Sequence, residues 1–254
     1  MGRTKGNRVF GPCKLCLKPS ELKASHIIPE FVWKPIYDEK HRFISVNTSK
    51  ESRNRFTQKG IYEKMLCETC ETRISKLEQY ASQIMNYKIG RPTFDREKGI
   101  LTFQSVDYAK FKLFQLSVLW RSSVASDSNF VQVKLGEHEN LIREMILEGE
   151  PGKHYEFGCV MIGLISRAGI PMERVILPPL KHTKLGHVTY TFVFAGCQWN
   201  FVVSSHSNEL REKGIFLEEN GKLPVAIRDA EDIGLLKFIY NTFVEAGEIQ
   251  GPKL

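Results

Sequence analysis

Apolar residues recur at helical spacing in several stretches of the chain. From Glu68 to Met85 they fall on one face, which predicts an amphipathic helix. Residues 106–121 are apolar nearly all round, as expected of a buried helix. Residues 137–148 predict a shorter helix closed by glycine and proline. A last helix is expected over residues 229–247, with acidic residues in its first turn.

Other segments have the pattern of strands. Residues 24–29 predict a short strand that ends at proline, and residues 61–66 predict a second strand that leads into Cys67. Three more strands are expected at residues 158–165, 187–194 and 199–204, with a hairpin around a glycine between the last two.

The composition changes near residues 86–92, where Gly and Pro mark a domain boundary. We therefore predict two domains, residues 1–88 and residues 89–254. The mixture of elements indicates an α+β fold, and the second domain is a mixed α+β unit of no recognised fold. The Trp120-Arg121 pair at the end of the buried helix is a candidate anchor between the two parts.

The basic excess of the chain is confined to its first third. Residues 1–86 hold 16 Lys/Arg against 9 Asp/Glu, a net charge of +7, whereas residues 87–254 hold 20 of each. A phosphate backbone is the usual partner of such a patch, because cationic contacts release condensed counterions. The alternative is a solvated surface that aids solubility.

Part of this charge lies in the loop predicted between the two N-terminal strands. Trp33, Phe43 and Phe56 are interleaved with it and are candidates for stacking on bases or contacting a minor groove. The alternative is that they belong to the core, which is the interpretation we favour for Trp33. The candidate nucleic-acid-binding residues are Arg42, Lys50, Arg53, Arg55 and Lys59.

Four of the six cysteines form two CxxC pairs, Cys13/Cys16 and Cys67/Cys70. Each pair is spaced to present two thiolates to one ion, and four sulfurs in a closed tetrahedron suit structural zinc. The second pair is expected at a helix N-terminus, whose dipole favours thiolate. The alternatives are four reduced structural cysteines or, less favoured because two pairs occur, a redox motif.

Between the pairs lies Ser25-His26-Ile27-Ile28-Pro29, and Glu71 directly follows the last cysteine. With Cys13-Lys-Leu-Cys16 and Leu66-Cys67-Glu-Thr-Cys70-Glu71, this order resembles the HNH endonucleases, in the branch with a four-cysteine zinc site. The resemblance covers roughly residues 10–85. It implies an N-terminal zinc-stapled ββα-metal module ahead of the α+β domain.

The resemblance also implies roles for individual residues. His26 matches the general base that takes a proton from the attacking water. Glu71 matches the helix position that supplies a ligand to a catalytic Mg²⁺ or Mn²⁺, and Ser25 stands where many members have a metal-binding Asp. Glu78 lies on the same helical face as Glu71 and is a weaker candidate ligand. The middle Asn of the family name has no counterpart near residues 61–63.

Two functions follow from these observations. The first is a metal-dependent DNA endonuclease, by analogy from a phage, mobile-element or antiphage-defence context, in which residues 89–254 select a target or partner protein or form a homodimer. The alternative is a zinc-scaffolded module that binds nucleic acid, DNA or RNA, without cutting it. No run of apolar residues is long enough for a membrane span and no secretory signal is recognised, so a cytoplasmic location is expected.

Overall fold

The computed structural model describes residues 8–40, 42–45, 55–58, 60–184 and 186–234. Twelve strands and four α-helices lie within these residues, so the predicted α+β class is confirmed. In chain order the elements are β1 (Val9–Pro12), β2 (Pro19–His26), α1 (Glu30–Trp33), β3 (Phe43–Ser45), β4 (Arg55–Thr57), β5 (Tyr62–Leu66), α2 (Glu68–Met85), β6 (Thr93–Asp95), β7 (Ile100–Phe103), α3 (Tyr108–Val124), α4 (His138–Glu148), β8 (Cys159–Ile165), β9 (Leu177–Lys184), β10 (His187–Phe194), β11 (Cys197–Val203) and β12 (Leu223–Asp229).

The N-terminal elements form a small antiparallel sheet with one long helix. Its strand order is β1-β2-β5, and α2 begins two residues after β5 ends. The helix has the predicted bounds because one apolar face, including Ile74, Ala81 and Ile84, is buried. Strands β3 and β4 pair with each other inside the segment predicted as a loop, so that segment contains a two-stranded ribbon.

A seven-stranded sheet dominates the rest of the chain. Its order is β6-β7-β12-β8-β11-β10-β9, and all pairs are antiparallel except β12 with β8. The predicted hairpin between β10 and β11 is confirmed. Ala195 and Gly196 both have positive φ values, 51° and 69°, as a tight two-residue turn requires.

Helix α3 lies between this sheet and the N-terminal elements. Every residue from Phe111 to Ser123 is buried, as the all-round apolar pattern predicted. Phe111 and Phe114 place their rings about 6 Å from the ring of Trp199 on β11. One continuous cluster of buried side chains includes α3, α2, β2 and the inner strands of the large sheet. The N-terminal elements therefore share their core with the rest of the chain.

The helix expected from residue 229 does not begin there. Asp229 is the last residue of β12, which pairs with β7 and β8, and residues 230–234 form a turn. The carboxylate of Asp229 accepts the backbone N–H of Glu231 at 2.8 Å and closes that turn instead of capping a helix. The remainder of the expected helix lies outside the described residues.

Candidate functional site

The two CxxC pairs meet at one end of the small sheet. Cys13 and Cys16 occupy a tight turn between β1 and β2, in which Leu17 donates its N–H to the Cys13 carbonyl at 2.8 Å and has a positive φ of 63°. Cys67 precedes α2 and Cys70 lies in its first turn. The N–H of Lys14 bonds the Met65 carbonyl at 2.9 Å, which holds the turn against the end of β5.

The four sulfur atoms are close enough to share one ion. All lie within 4.8 Å of one another, and Cys16 Sγ is 3.8 Å from Cys67 Sγ. A tetrahedron with zinc–sulfur bonds of about 2.3 Å has edges of about 3.8 Å, so the spacing fits four-coordinate zinc. Within the described residues no second group of three or more such ligands occurs. The predicted convergence of the four cysteines is confirmed, and the site can hold a metal ion such as zinc.

The protonation of these thiols also fits a metal site. Burial raises the pKa of Cys16 and, together with three neighbouring thiols, that of Cys70. Burial acts in the same direction on Cys13, but hydrogen bonds from the backbone of Cys16, Cys67 and Leu15 outweigh it and lower the pKa. The surroundings of Cys13 thus favour its thiolate form, and a bound cation would favour the ionised form of all four sulfurs.

Strand β2 carries the predicted general base, His26, and the residue before it, Ser25. In its antiparallel pairing with β5, Ser25 lies opposite Glu63 and His26 opposite Tyr62. The side chain of Ser25 is fully buried and its hydroxyl donates to Glu71 Oε2 at 2.5 Å. The half-buried His26 has its ring centroid 5.9 Å from that of Tyr62. The structure therefore brings Ser25 and Glu71 together, and His26 directly follows Ser25 on the strand.

Glu71 lies in a partly desolvated, charged environment. Burial raises the pKa of its carboxyl group. The hydrogen bond from Ser25 and the charge of Arg121 oppose this rise, the charge of Glu78 adds to it, and His26 acts weakly against it. Glu71 thus has one hydroxyl partner and positive charge close by, and its carboxyl oxygens are the type of donor that a hard divalent cation takes.

Glu78 lies about two turns beyond Glu71 on α2. It is paired with Arg121, a residue that was not predicted to belong to the site. Arg121 Nη1 on α3 lies 2.7 Å from Glu78 Oε1, and the same nitrogen donates to the His26 carbonyl at 2.5 Å. Glu78 Oε1 has no directed hydrogen bond from the described residues, so the contact is ionic. The expectation that Arg121 anchors the two parts of the chain is confirmed. One feature of the sequence indicated that Arg121 has a specific partner, namely a charged residue within an otherwise apolar helix.

His26, Glu71 and Glu78 do not form a ready-made metal cage, since the cysteine cluster is the one ligand group found among the described residues. The predicted roles of Ser25, Glu71 and Glu78 in binding Mg²⁺ or Mn²⁺, and of His26 as the general base, stay predictions. The donors present are oxygens, and Mg²⁺ commonly takes one or two protein carboxylates and completes its shell with water and substrate phosphate. The residues around Glu71 therefore fit such an ion without enclosing it.

Of the predicted nucleic-acid-binding residues, Arg42 is the one whose side chain the structure describes. Its Nη2 and Nε bond Asp38 Oδ2 at 2.9 and 3.1 Å. Slight desolvation opposes the effect, but these bonds hold the pKa of Asp38 below its ordinary value. Asp38 therefore balances the charge of Arg42. Lys50, Arg53 and Lys59 lie outside the described residues, and Arg55 begins β4 with its side chain likewise outside.

The aromatic residues near this loop belong largely to the core. Trp33 is buried and donates its indole N–H to the Ile28 carbonyl at 3.1 Å, so the favoured interpretation is confirmed. Phe43 is buried with its ring 4.9 Å from that of Trp33. The side chain of Phe56 lies outside the described residues.

Comparisons of this chain with models of known protein families, with curated proteins and with solved structures gave no match. Among the described residues, no helix has both the length and the apolar character needed to cross a bilayer.

Proposed function

We propose that this chain is a metal-dependent endonuclease of the HNH type that hydrolyses phosphodiester bonds in DNA. The observation that carries the proposal is the hydrogen bond between Ser25, which directly precedes His26 on β2, and Glu71 on α2. An antiparallel strand pair followed by a helix, with the base on the strand and an acid at the start of the helix, is the arrangement that the HNH resemblance implies.

The four cysteines act as the scaffold in this proposal. They are the site for structural zinc, and they join the turn before β2 to the first turn of α2. Because Glu71 directly follows Cys70, the metal would fix the position of Glu71 relative to β2. The zinc site would thus fix β2, which carries His26, relative to the start of α2, which carries Glu71. This is a structural reason for a zinc cluster in a small module.

His26 is the proposed general base, which takes a proton from the attacking water. Glu71, with Ser25 as its hydrogen-bond partner, is the proposed ligand of Mg²⁺ or Mn²⁺. When bound, the divalent ion supplies neutralisation of the scissile phosphate and of the leaving oxygen. The basic residues of the first third of the chain would attract the DNA backbone.

A second candidate is a zinc-scaffolded module that binds nucleic acid without cutting it. Two observations favour it: Ser25 is a weaker ligand than the Asp of many HNH enzymes, and Arg121 already neutralises Glu78. Gripping phosphates requires no divalent ion, so the two candidates differ in their metal requirement.

The test is plasmid nicking by the purified protein with Mg²⁺, with Mn²⁺ and with a chelator. We expect metal-dependent nicking that His26→Ala lowers by about 10²–10⁴-fold, the usual contribution of a general base. Glu71→Gln should also lower it, whereas His182→Ala and Glu68→Gln, at exposed positions on β9 and in the first turn of α2, should not. Zinc content is measured for each protein so that loss of the scaffold is recognised.

Equal activity of wild type and His26→Ala would contradict the catalytic assignment. DNA binding without cleavage in any metal, with an affinity that falls as salt rises, would instead support the binding module. A folded protein that neither binds nor cleaves DNA would refute both candidates.

A further inference from the structure

Arg121 is a charged residue at a position where the sequence pattern calls for an apolar one. Its side chain is 1% exposed, and it lies in the last turn of α3 among residues that are all buried. Arginine is almost never fully buried without a partner, because removing a guanidinium from water is costly. A specific set of contacts must therefore account for it.

Those contacts reach two different elements of the proposed nuclease module. Nη1 lies 2.7 Å from Glu78 on α2 and donates to the backbone carbonyl of His26 at the end of β2. Nε donates to the Ser117 carbonyl at 3.2 Å, which fixes the guanidinium against its own helix. One side chain from the second predicted domain therefore joins the strand of the base to the helix of the acid.

The same contacts divide the roles of the two glutamates. Arg121 pairs with Glu78, whereas the direct hydrogen bond to Glu71 comes from Ser25. With the charge of Glu78 neutralised, Glu71 is the carboxylate that remains for a cation. Glu78 then serves as the counter-charge of Arg121 rather than as a metal ligand.

We propose that Arg121 is a positioning residue of the nuclease site, which holds the main chain of His26 and the third turn of α2 so that the imidazole and the Glu71 carboxylate keep their relative places. The proposal rests on the nuclease function proposed above. It makes the site composite: α3, from the second predicted domain, completes a site whose reacting groups all lie in the first.

The variants must separate positioning from folding. Arg121→Met alone leaves Glu78 as an unpaired, largely buried charge, which is strongly destabilising. The double variant Arg121→Met/Glu78→Leu replaces the pair by apolar residues, a change that folded proteins often tolerate. Arg121→Lys keeps the charge. Arg174→Met is the matched control, because Arg174 also joins the two parts of the chain through a backbone carbonyl, that of Pro35, away from His26.

Kinetics on a short DNA duplex test the proposal first. We expect the double variant to keep its zinc, its melting temperature and its KM while kcat falls by about a hundredfold, the scale of a misplacement of about 1 Å. Arg121→Lys should recover part of the loss, and Arg174→Met should match wild type. A folded, zinc-loaded double variant with the wild-type kcat would overturn the proposal.

A second measurement decides the point without activity. The rings of His26 and Tyr62 are close enough for a proton–proton Overhauser contact by NMR. Loss of this contact in the double variant and its retention in Arg121→Lys support positioning, whereas an unchanged contact in the double variant overturns it. If wild type cuts no DNA, the nuclease function fails by itself, and the NMR result still decides whether Arg121 positions His26.

Discussion

Removal of one thiol from the cysteine cluster is expected to abolish metal binding while most of the chain stays folded. Cys70→Ala leaves three sulfurs, which is too few for a closed tetrahedral site. The side chain of Cys70 is 3% exposed, and alanine fills such a position as another small buried residue. The loss of stability should therefore be mainly the loss of the bound metal.

The size of the effect follows from binding linkage. A metal that binds only the folded chain stabilises it by about 4 kcal/mol when its free concentration is roughly a thousand times its Kd. In a chain of this size each kcal/mol corresponds to about 2–4 °C, so the melting temperature should fall by on the order of 10 °C. Complete unfolding is not expected, because Leu15, Ile27 and Met65 belong to the buried cluster that continues into α3.

The assay is zinc per chain by elemental analysis, with thermal unfolding before and after chelation. Cys159→Ala is the matched control, because Cys159 is equally buried, at 2% exposed, but lies on β8 outside the cluster. It should keep one zinc per chain and remain sensitive to the chelator. If Cys70→Ala retains a full equivalent of zinc, or if chelation leaves wild type unchanged, the assignment of the cluster as a stabilising metal site is refuted.

Two further perturbations test the second domain. Burial lowers the pKa of Lys112 from 10.5 to about 8, while its ammonium donates to the carbonyls of Glu156 and Phe157. Between about pH 8 and pH 10.5 the Lys112 side chain keeps its proton in the unfolded chain and loses it in the folded chain. The free energy of unfolding of wild type, relative to that of Lys112→Met, should therefore rise by about 3 kcal/mol across this range. Urea unfolding across this range measures it, and a difference independent of pH would contradict the burial argument. Separately, Gly221→Ala should destabilise the chain by more than Gly149→Ala: both have φ near 85°, but a Cβ at Gly221 would lie 2.5 Å from the Val106 carbonyl oxygen, whereas Gly149 is open. Similar melting temperatures of the two variants would argue against that close approach.

The long helices could be predicted from the sequence because their signals are local. The apolar face of α2 repeats at helical spacing over 18 residues, and Gly149, with a φ of 85°, ends α4 as predicted. Seven strands were not predicted, β1, β3, β4, β6, β7, β9 and β12, and the edge strands β6 and β9 illustrate a reason. All three residues of β6 are exposed, and β9 is largely exposed at the other edge of the sheet, so neither has the alternation that identifies a strand. Their neighbours in the sheet determine that they are strands.

The candidate site divides in the same way. The spacing of the two CxxC pairs was enough to predict that four sulfurs meet. Because Glu71 directly follows Cys70, its position near the cysteine cluster could be predicted as well. The sequence did not predict that Ser25 donates to Glu71, 46 residues away, nor that Arg121 reaches the carbonyl of His26, 95 residues away. Periodicity and spacing report on neighbours along the chain. Contacts between residues so far apart in sequence form when α3 is buried between the large sheet and the N-terminal elements. Because burying the Arg121 guanidinium without partners is costly, the folded chain must supply them, and they are Glu78 and the His26 carbonyl.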